Sequence, residues 1–461
     1  MKTIPVSSTG RRFCRQVAEN PACVMHRAIG DQDVEALWRL YGRSFRRRLF
    51  TPLITLWTFI AQVLADKKTL RKAVSNTMTT MGELGKRGGS HDASAYCQAR
   101  YRMPLGVLQH LTHWVANQLQ KLVPARRQWH GHRVVLVDGS SVSMPDTPAN
   151  QHAYPQPSTQ KPGCGFPVAR IVALFSMTTG AVIDLAIGKL ADAELTLWRQ
   201  LWRNLAAGDV AVGDRLFGKY VDIAELLQRG IHMVARIDKT RKIDFRRGKR
   251  LGRNDHIVTW HKPATRSARL SDAEWESLPD MITLREIRFT LQVRGFKASE
   301  VVLVTTLLDS EQYPVKELAE LYRRRWEVET DFAHLKTSMQ MSELAGKKPE
   351  MISRELWAHM LAYNLIRTLM WEAGTRRRLD PLRISLSGTI DKVTALWPFA
   401  AITPVEDMEP YYNVLLHNIA SDTVPDRPNR HEPRCIKRRH KDFDYLTKPR
   451  EAFKAEAVVL A

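Results

Sequence analysis

The sequence predicts an α/β fold on a mixed β-sheet, with a helical segment ahead of it and a β-rich segment inserted into it. Three observations predict this. Up to about residue 125 apolar residues recur at helical spacing and strand-like runs are scarce. From 126 to 237 β-branched runs and amphipathic stretches follow the order β-β-β-α-β-α-β. From 238 to 304 the texture becomes strand-like again, behind a strongly basic stretch.

The elements follow in order. SFRRRLFTPLITLWTFIAQVLADKKTLRKAVSNTMTTM predicts two helices, and SAYCQARYRMPLGVLQHLTHWVANQLQKLV two more, broken near Pro104. HRVVLVDGSSVSM is a β-branched run that delivers Asp138, and a long polar loop follows through Pro162. VARIVALFSMTTGAVIDLAIGKL predicts a hairpin with Thr179-Gly180 at its turn. DAELTLWRQLWRNL predicts an amphipathic helix capped by Asp192. DVAVGDRLF is a short strand ending at Asp214, followed by a helix from Lys219 to Arg229 and the strand IHMVARI. The inserted strands are HIVTWHK, LREIRFTLQVRGF and SEVVLVTTLL. Helices resume at Pro314, and ELYRRRWEVETDFAHLK falls within a single continuous helix. RELWAHMLAYNLIRTLMWEAG is apolar enough to be internal, and the tail from about Thr423 is basic and proline-broken. The domain division is thus 1–125 helical, 126–237 first part of the core, 238–304 insertion, 305–422 second part of the core and 423–461 tail.

Charge narrows the partners. The 461 residues carry 70 Lys+Arg against 48 Asp+Glu, a formal net charge of +22, which points to a polyanion. An apolar fraction of 44% supplies a core and argues against disorder of the whole chain. The longest apolar stretch, Leu49 to Ala65, holds Thr, Gln and proline and reads as a buried helix, so no membrane partner is expected. Five scattered cysteines with no C-x-x-C pair support neither a zinc knuckle nor a disulfide framework, and with no secretory signal in view a cytoplasmic location is expected. Arg46, Arg47, Arg48, Lys67, Lys68, Arg71, Lys72, Arg100 and Arg102 give the first helices the character of a DNA-binding module.

Three carboxylates carry the chemistry. Asp138 and Asp214 each end a strand of one sheet, which can present them side by side. A third carboxylate from a nearby helix would complete an oxygen site suited to Mg²⁺ or Mn²⁺. On an unbroken helix, Arg325 lies about 40° from Glu329, while Tyr322 and Lys336 lie within about 20° of it. Glu327 and Asp331 point elsewhere. A row of Tyr, Arg, Glu and Lys, bordered by Trp326, suits a phosphate chain lying along the helix.

Tyr322, Arg325, Glu329 and Lys336 match Y-x2-R-x3-E-x6-K, so the chain resembles the insertion-sequence-four family of bacterial DDE transposases. VDGSS resembles that family's first-Asp region and VGDRLFG its second, with Ser140 where many relatives have Thr. The resemblance implies a ribonuclease-H-like catalytic core and a catalytic, metal-binding triad of Asp138, Asp214 and Glu329. It implies two Mg²⁺ or Mn²⁺ ions, with Asp138 bridging both, Asp214 completing one site and Glu329 the other. It also implies end-DNA contacts from Tyr322, Arg325 and Lys336. The reaction expected is cutting at the ends of an insertion sequence, followed by attack of the freed 3′-OH on target DNA. Partners would be the terminal inverted repeats, target DNA and a second copy of the chain in a DNA-bound homodimer. Where the second strand is cut through a hairpin, a displaced base could stack on Trp260 or Trp326. Two other readings use the same residues: a nuclease or resolvase that cuts without joining, and an inactive DNA-binding descendant.

Overall fold

The computed structural model describes residues 34–42, 44–45, 49–83, 92–238, 240–291, 299–402, 408–425 and 445–459. Arg46, Arg47, Arg48, Cys14, Cys23 and Cys435 lie outside these, as does 426–444 of the basic tail. The described Cys97 and Cys164 are free thiols.

Five strands form the central frame. β1 (Val134–Ser143), β2 (Val168–Ser176) and β3 (Val182–Lys189) make an antiparallel meander. β4 (Val210–Gly213) pairs in parallel with β1, and β5 (His232–Arg236) in parallel with β4. Each parallel join needs a crossover. The helices α7 (Glu194–Leu201) and α8 (Tyr220–Gln228) supply them. The order β3-β2-β1-β4-β5 is ribonuclease-H-like, and the expected α/β class holds.

The sheet does not stop at β5. β9 (Ser299–Thr305) pairs antiparallel with it, and β8 (Met281–Leu291), β7 (Asp255–His261) and β6 (Lys249–Gly252) follow. The inserted strands therefore continue the central sheet, nine strands in all among the described residues. A short helix, α9 (Asp272–Ser277), sits in the β7–β8 connection behind a capping box from Ser271.

Both faces of the frame are covered, which explains its nearly unbroken β-branched runs. Val135, Val137 and Ala211 pack against Leu197, Trp198 and Ile223 of the crossover helices. Val134, Leu136, Val210 and Val212 face the opposite way, toward the cluster containing Leu321, Val328 and Leu361. Ahead of the sheet come α1 (Val34–Leu40), α2 (Pro52–Leu64), α3 (Leu70–Glu83), α4 (Ser94–Arg102) and α5 (Leu105–Lys121). A short α6 (Pro148–Ala153) lies in the β1–β2 loop. Among the described residues no helix is long and apolar enough to cross a membrane.

Three local expectations are corrected. Asp138 does not end a strand: β1 runs on through Ser143, and Asp138 pairs with Ala173 of β2 in mid-strand, just past the point where β4 stops pairing with β1. Asp192 does not cap α7: its carboxylate accepts from the Lys189 amide at 2.7 Å, closing a turn, while Ala193 stands at the N-cap. The stretch 320–336 is not one helix. α10 (Val315–Arg324) ends before Arg325 and Trp326, α11 runs Glu327–Ala333, and His334–Ser338 form a π-helical turn. Around the break, the amides of Arg325, Trp326, Val328 and Glu329 each donate to the carbonyl three residues back, at 3.0–3.3 Å. The chain is overwound there and underwound at the π turn.

The remaining helices wrap the second face. α12 (Pro349–Arg377) is buried on nearly all sides and packs against α2, α5, α13 (Leu386–Ile402) and α14 (Met408–Ser421). A last helix, α15, spans Arg450–Val459.

Candidate active site

Strand register sets the first two carboxylates. Leu136 of β1 pairs with Val212 of β4, and Asp138 and Asp214 each stand two residues further on. Period-two alternation turns both toward the face bearing α10 and α11. Each is fixed by its own backbone: Asp138 accepts from the Gly139 amide at 2.8 Å, and Asp214 from the Leu216 amide at 2.7 Å. Burial pushes the Asp138 carboxyl up to about 6, with Asp214 and Glu194 pushing the same way. The Gly139 amide and Arg325 oppose that shift. Burial outweighs the nearby guanidinium.

Leu321, Val328, Phe332 and Leu335 anchor α10, α11 and the π turn to the core, so residues between them face β1. Arg325 is buried, and its Nη1 lies 3.6 Å from Asp138 Oδ2 while its Nη2 donates to Glu329 Oε1 at 3.3 Å. Its Nε is buried with no hydrogen-bond partner. The Glu329 side chain is 59% exposed. Lys336, carried inward on the π turn, donates from Nζ to Ser140 Oγ at 3.3 Å.

Arg325, Glu329 and Lys336 thus gather over the middle of β1, and Tyr322 lies buried beside Arg325 rather than on the open surface. Its side chain is buried, with the Arg325 guanidinium 5.9 Å from the ring centre. Burial pushes its phenol up, against the pull of Arg325 and Arg236. Trp326 is half-buried beside Arg325, at 5.9 Å. Trp260 is 4% exposed, its indole donates to Glu286 at 2.7 Å, and Arg241 covers its ring. Stacking of a displaced base on Trp260 is therefore overturned, because the ring is already occupied on its face and edge.

Sequence reasoning missed two groups. Glu194, the first residue of α7, reads as an ordinary N-terminal acid, but its carboxylate lies beneath Gly139, where an added Cβ would come within 2.7 Å of it. Arg170 of β2 approaches it at 3.4 Å. A glycine directly after an aspartate within a β-branched run was the available signal. The second is Asp331, which accepts from Arg367 at 2.5 Å and Tyr363 at 2.9 Å, tying α11 to α12. Two partners more than thirty residues away left no local pattern.

Asp138, Asp214 and Glu329 offer hard oxygen donors, the kind Mg²⁺ and Mn²⁺ take. Asp138 is half-buried, with Asp214 and Glu194 acting on it as like charges, an acidic surrounding that suits a cation. Among the described residues no three metal-ligating side chains converge closely enough to hold one ion; Arg325 stands between Asp138 and Glu329.

A ribonuclease-H-like sheet carrying such an acidic site fits the DDE class of transposases. Residues 129–365 match the family model described as transposase DDE domain, and the chain belongs to that family. It is 25% identical over 438 residues to the transposase InsG for insertion sequence element IS4 of Escherichia coli (strain K12), covering 92% of this chain and 94% of that one. It is also 24% identical over 138 residues to the putative transposase InsZ of the same strain, covering 30% and 46%. Among solved structures, a piggyBac transposase synaptic complex with hairpin DNA aligns at a TM-score of 0.43 and 10% identity, over 91% of this chain and 88% of that one.

Proposed function

We propose that this transposase cuts at the ends of an insertion sequence and joins the freed 3′-OH ends to target DNA by metal-dependent phosphoryl transfer. The observation that carries the reading is the equal register of Asp138 and Asp214, each two residues past the Leu136–Val212 pair of adjacent parallel strands, with Glu329 on the helix that packs over β1. Asp138, Asp214 and Glu329 would hold two divalent cations, Mg²⁺ or Mn²⁺, which neutralise phosphoryl charge and activate the attacking hydroxyl.

The remaining work falls to the chain itself. Lys336 and Arg325 bind non-bridging phosphate oxygens and fix the scissile strand over the middle of β1, beside Asp138 and Ser140. Tyr322 packs beneath Arg325 and sets its direction, while Trp326 offers an aromatic face to a displaced base. Water attacks first and leaves a 3′-OH. That hydroxyl then takes the place of water and attacks target DNA, so one pocket serves both steps. The helices of residues 1–125 and the basic 423–461 tail hold the terminal repeats, and two chains pair on two ends.

The test uses a plasmid bearing the DNA that flanks this gene, incubated with wild-type or Glu329→Gln protein, with and without Mg²⁺. Metal-dependent cutting at both ends and joined products, absent from Glu329→Gln, are expected. Normal cutting by Glu329→Gln would overturn the triad, and cutting without joining would make the protein a nuclease.

A further inference from the structure

We propose that Arg325 is an internal counter-ion that closes the metal site until a DNA phosphate draws it away, so that cation loading is coupled to end binding. The inference rests on the triad reading above. Its guanidinium lies between Asp138, at 3.6 Å, and Glu329, at 3.3 Å, where a shared cation would have to lie. One cationic group cannot share that space with another, and the two repel strongly at such separations.

The hold on Arg325 is loose. Both carboxylate contacts exceed the usual length of a charge-assisted hydrogen bond, about 2.7–2.9 Å, and the remaining partner is the neutral Tyr322 phenol. Its Nε, though buried, has no partner. Arg367, by comparison, grips Asp331 at 2.5 Å and also donates to Tyr363. The Arg325 backbone belongs to the turn between α10 and α11, outside either regular helix, so its side chain can swing without unwinding one. A phosphate arriving beside Lys336 offers it a bidentate acceptor and frees both carboxylates together.

Arginine therefore does two things in sequence. Without DNA it neutralises two acids that would otherwise repel each other. With DNA it pairs with phosphate, and the acids are left for the cations. The free protein is kept from holding a charged active site in the absence of an end.

The experiment is a Mn²⁺ titration of the DNA-free full chain, read by electron paramagnetic resonance of free Mn²⁺. Arg325→Met keeps the length and packing and removes the charge; Arg325→Gln keeps some hydrogen bonding, and far-ultraviolet circular dichroism confirms that each is folded. Both variants should bind Mn²⁺ at least about tenfold more tightly than wild type, since a like charge has been removed from the site. The gain should vanish when Glu329→Gln is added. Folded Arg325→Met and Arg325→Gln proteins that bind no more tightly than wild type would overturn the gate. Asp138→Asn separates the two readings. If it abolishes Mn²⁺ binding while Arg325→Met gives no gain, the gate alone fails. If it binds as wild type does, the triad fails and takes the gate with it.

Discussion

Lys336 donates from Nζ to the Oγ of Ser140 at 3.3 Å, two residues beyond Asp138 on the same strand. The π turn creates this meeting by adding slack after α11. A hydroxyl is a weak resting partner for an ammonium, and phosphate is a better one. Lys336→Ala should weaken end complexes and reduce the slope of log K against log salt by about 0.9, one phosphate's worth. Filter binding across a salt series measures it, and an unchanged slope removes Lys336 from the DNA contacts.

Gly139 is where the strand crosses over Glu194. In Gly139→Ala the new Cβ would lie 2.7 Å from the Glu194 carboxyl carbon, so β1 or the glutamate must shift. The far end of Glu194 is flexible and turns aside, so Gly139→Ala should slow cleavage by well under the roughly 100-fold that a misplacement of about 1 Å costs. Adding Glu194→Ser makes room and should recover most of the loss. If the double variant is as slow as Gly139→Ala, the contact is not the cause.

Trp260 and Trp326 should separate cleanly. Trp260→Ala strips a buried ring from Glu286 and Arg241 and should cost about 3–5 kcal/mol in urea unfolding. Trp326→Ala should unfold closer to wild type yet change the processing of the second strand. A stable Trp260→Ala would contradict the packing described.

Two histidines set an acid limit. Burial, helped by Lys68, holds His359 down to about 3, and burial, helped by Arg367, holds His334 down to about 4. In the unfolded chain both titrate near 6.5. As pH falls below that value the unfolded state takes up protons first, so stability is lost on acidification, by up to ~1.4 kcal/mol per pH unit for each histidine. Urea midpoints at about pH 7 and pH 5 measure the loss, and His359→Gln should flatten it by about one proton. An unaltered pH slope in that variant would count against His359 as a source.

The strand and helix order was legible because β-branched runs, a Thr-Gly turn and amphipathic spacing are local signals. The neighbouring placement of Asp138 and Asp214 on one sheet was legible too, but not that β1 runs five residues past Asp138, since GSSVS carries no strong strand signal. The break at Arg325 was not legible. Nothing between Leu321 and Leu335 disfavours a helix, and the break accompanies contacts from Arg325 to Asp138, far away in sequence. Trp260 misled for a related reason: the acceptor that buries it, Glu286, sits on the next strand, 26 residues later. Aromatic rings advertise their chemistry in a sequence but not whether their faces are taken.

α12 lies at the centre of an apolar cluster that runs from Val34 to Ala420. The faces of α2 and α5 therefore rest on a helix that begins only at Pro349. At about 5–20 residues per second of synthesis, those first helices leave the ribosome on the order of 10–50 s before their partner exists. Through that interval they depend on chaperones or on one another. A message that stops short of Pro349 yields a sticky, degradable chain rather than a competing DNA-binder, so a truncated copy of the gene is a poor source of inhibitor for the intact one.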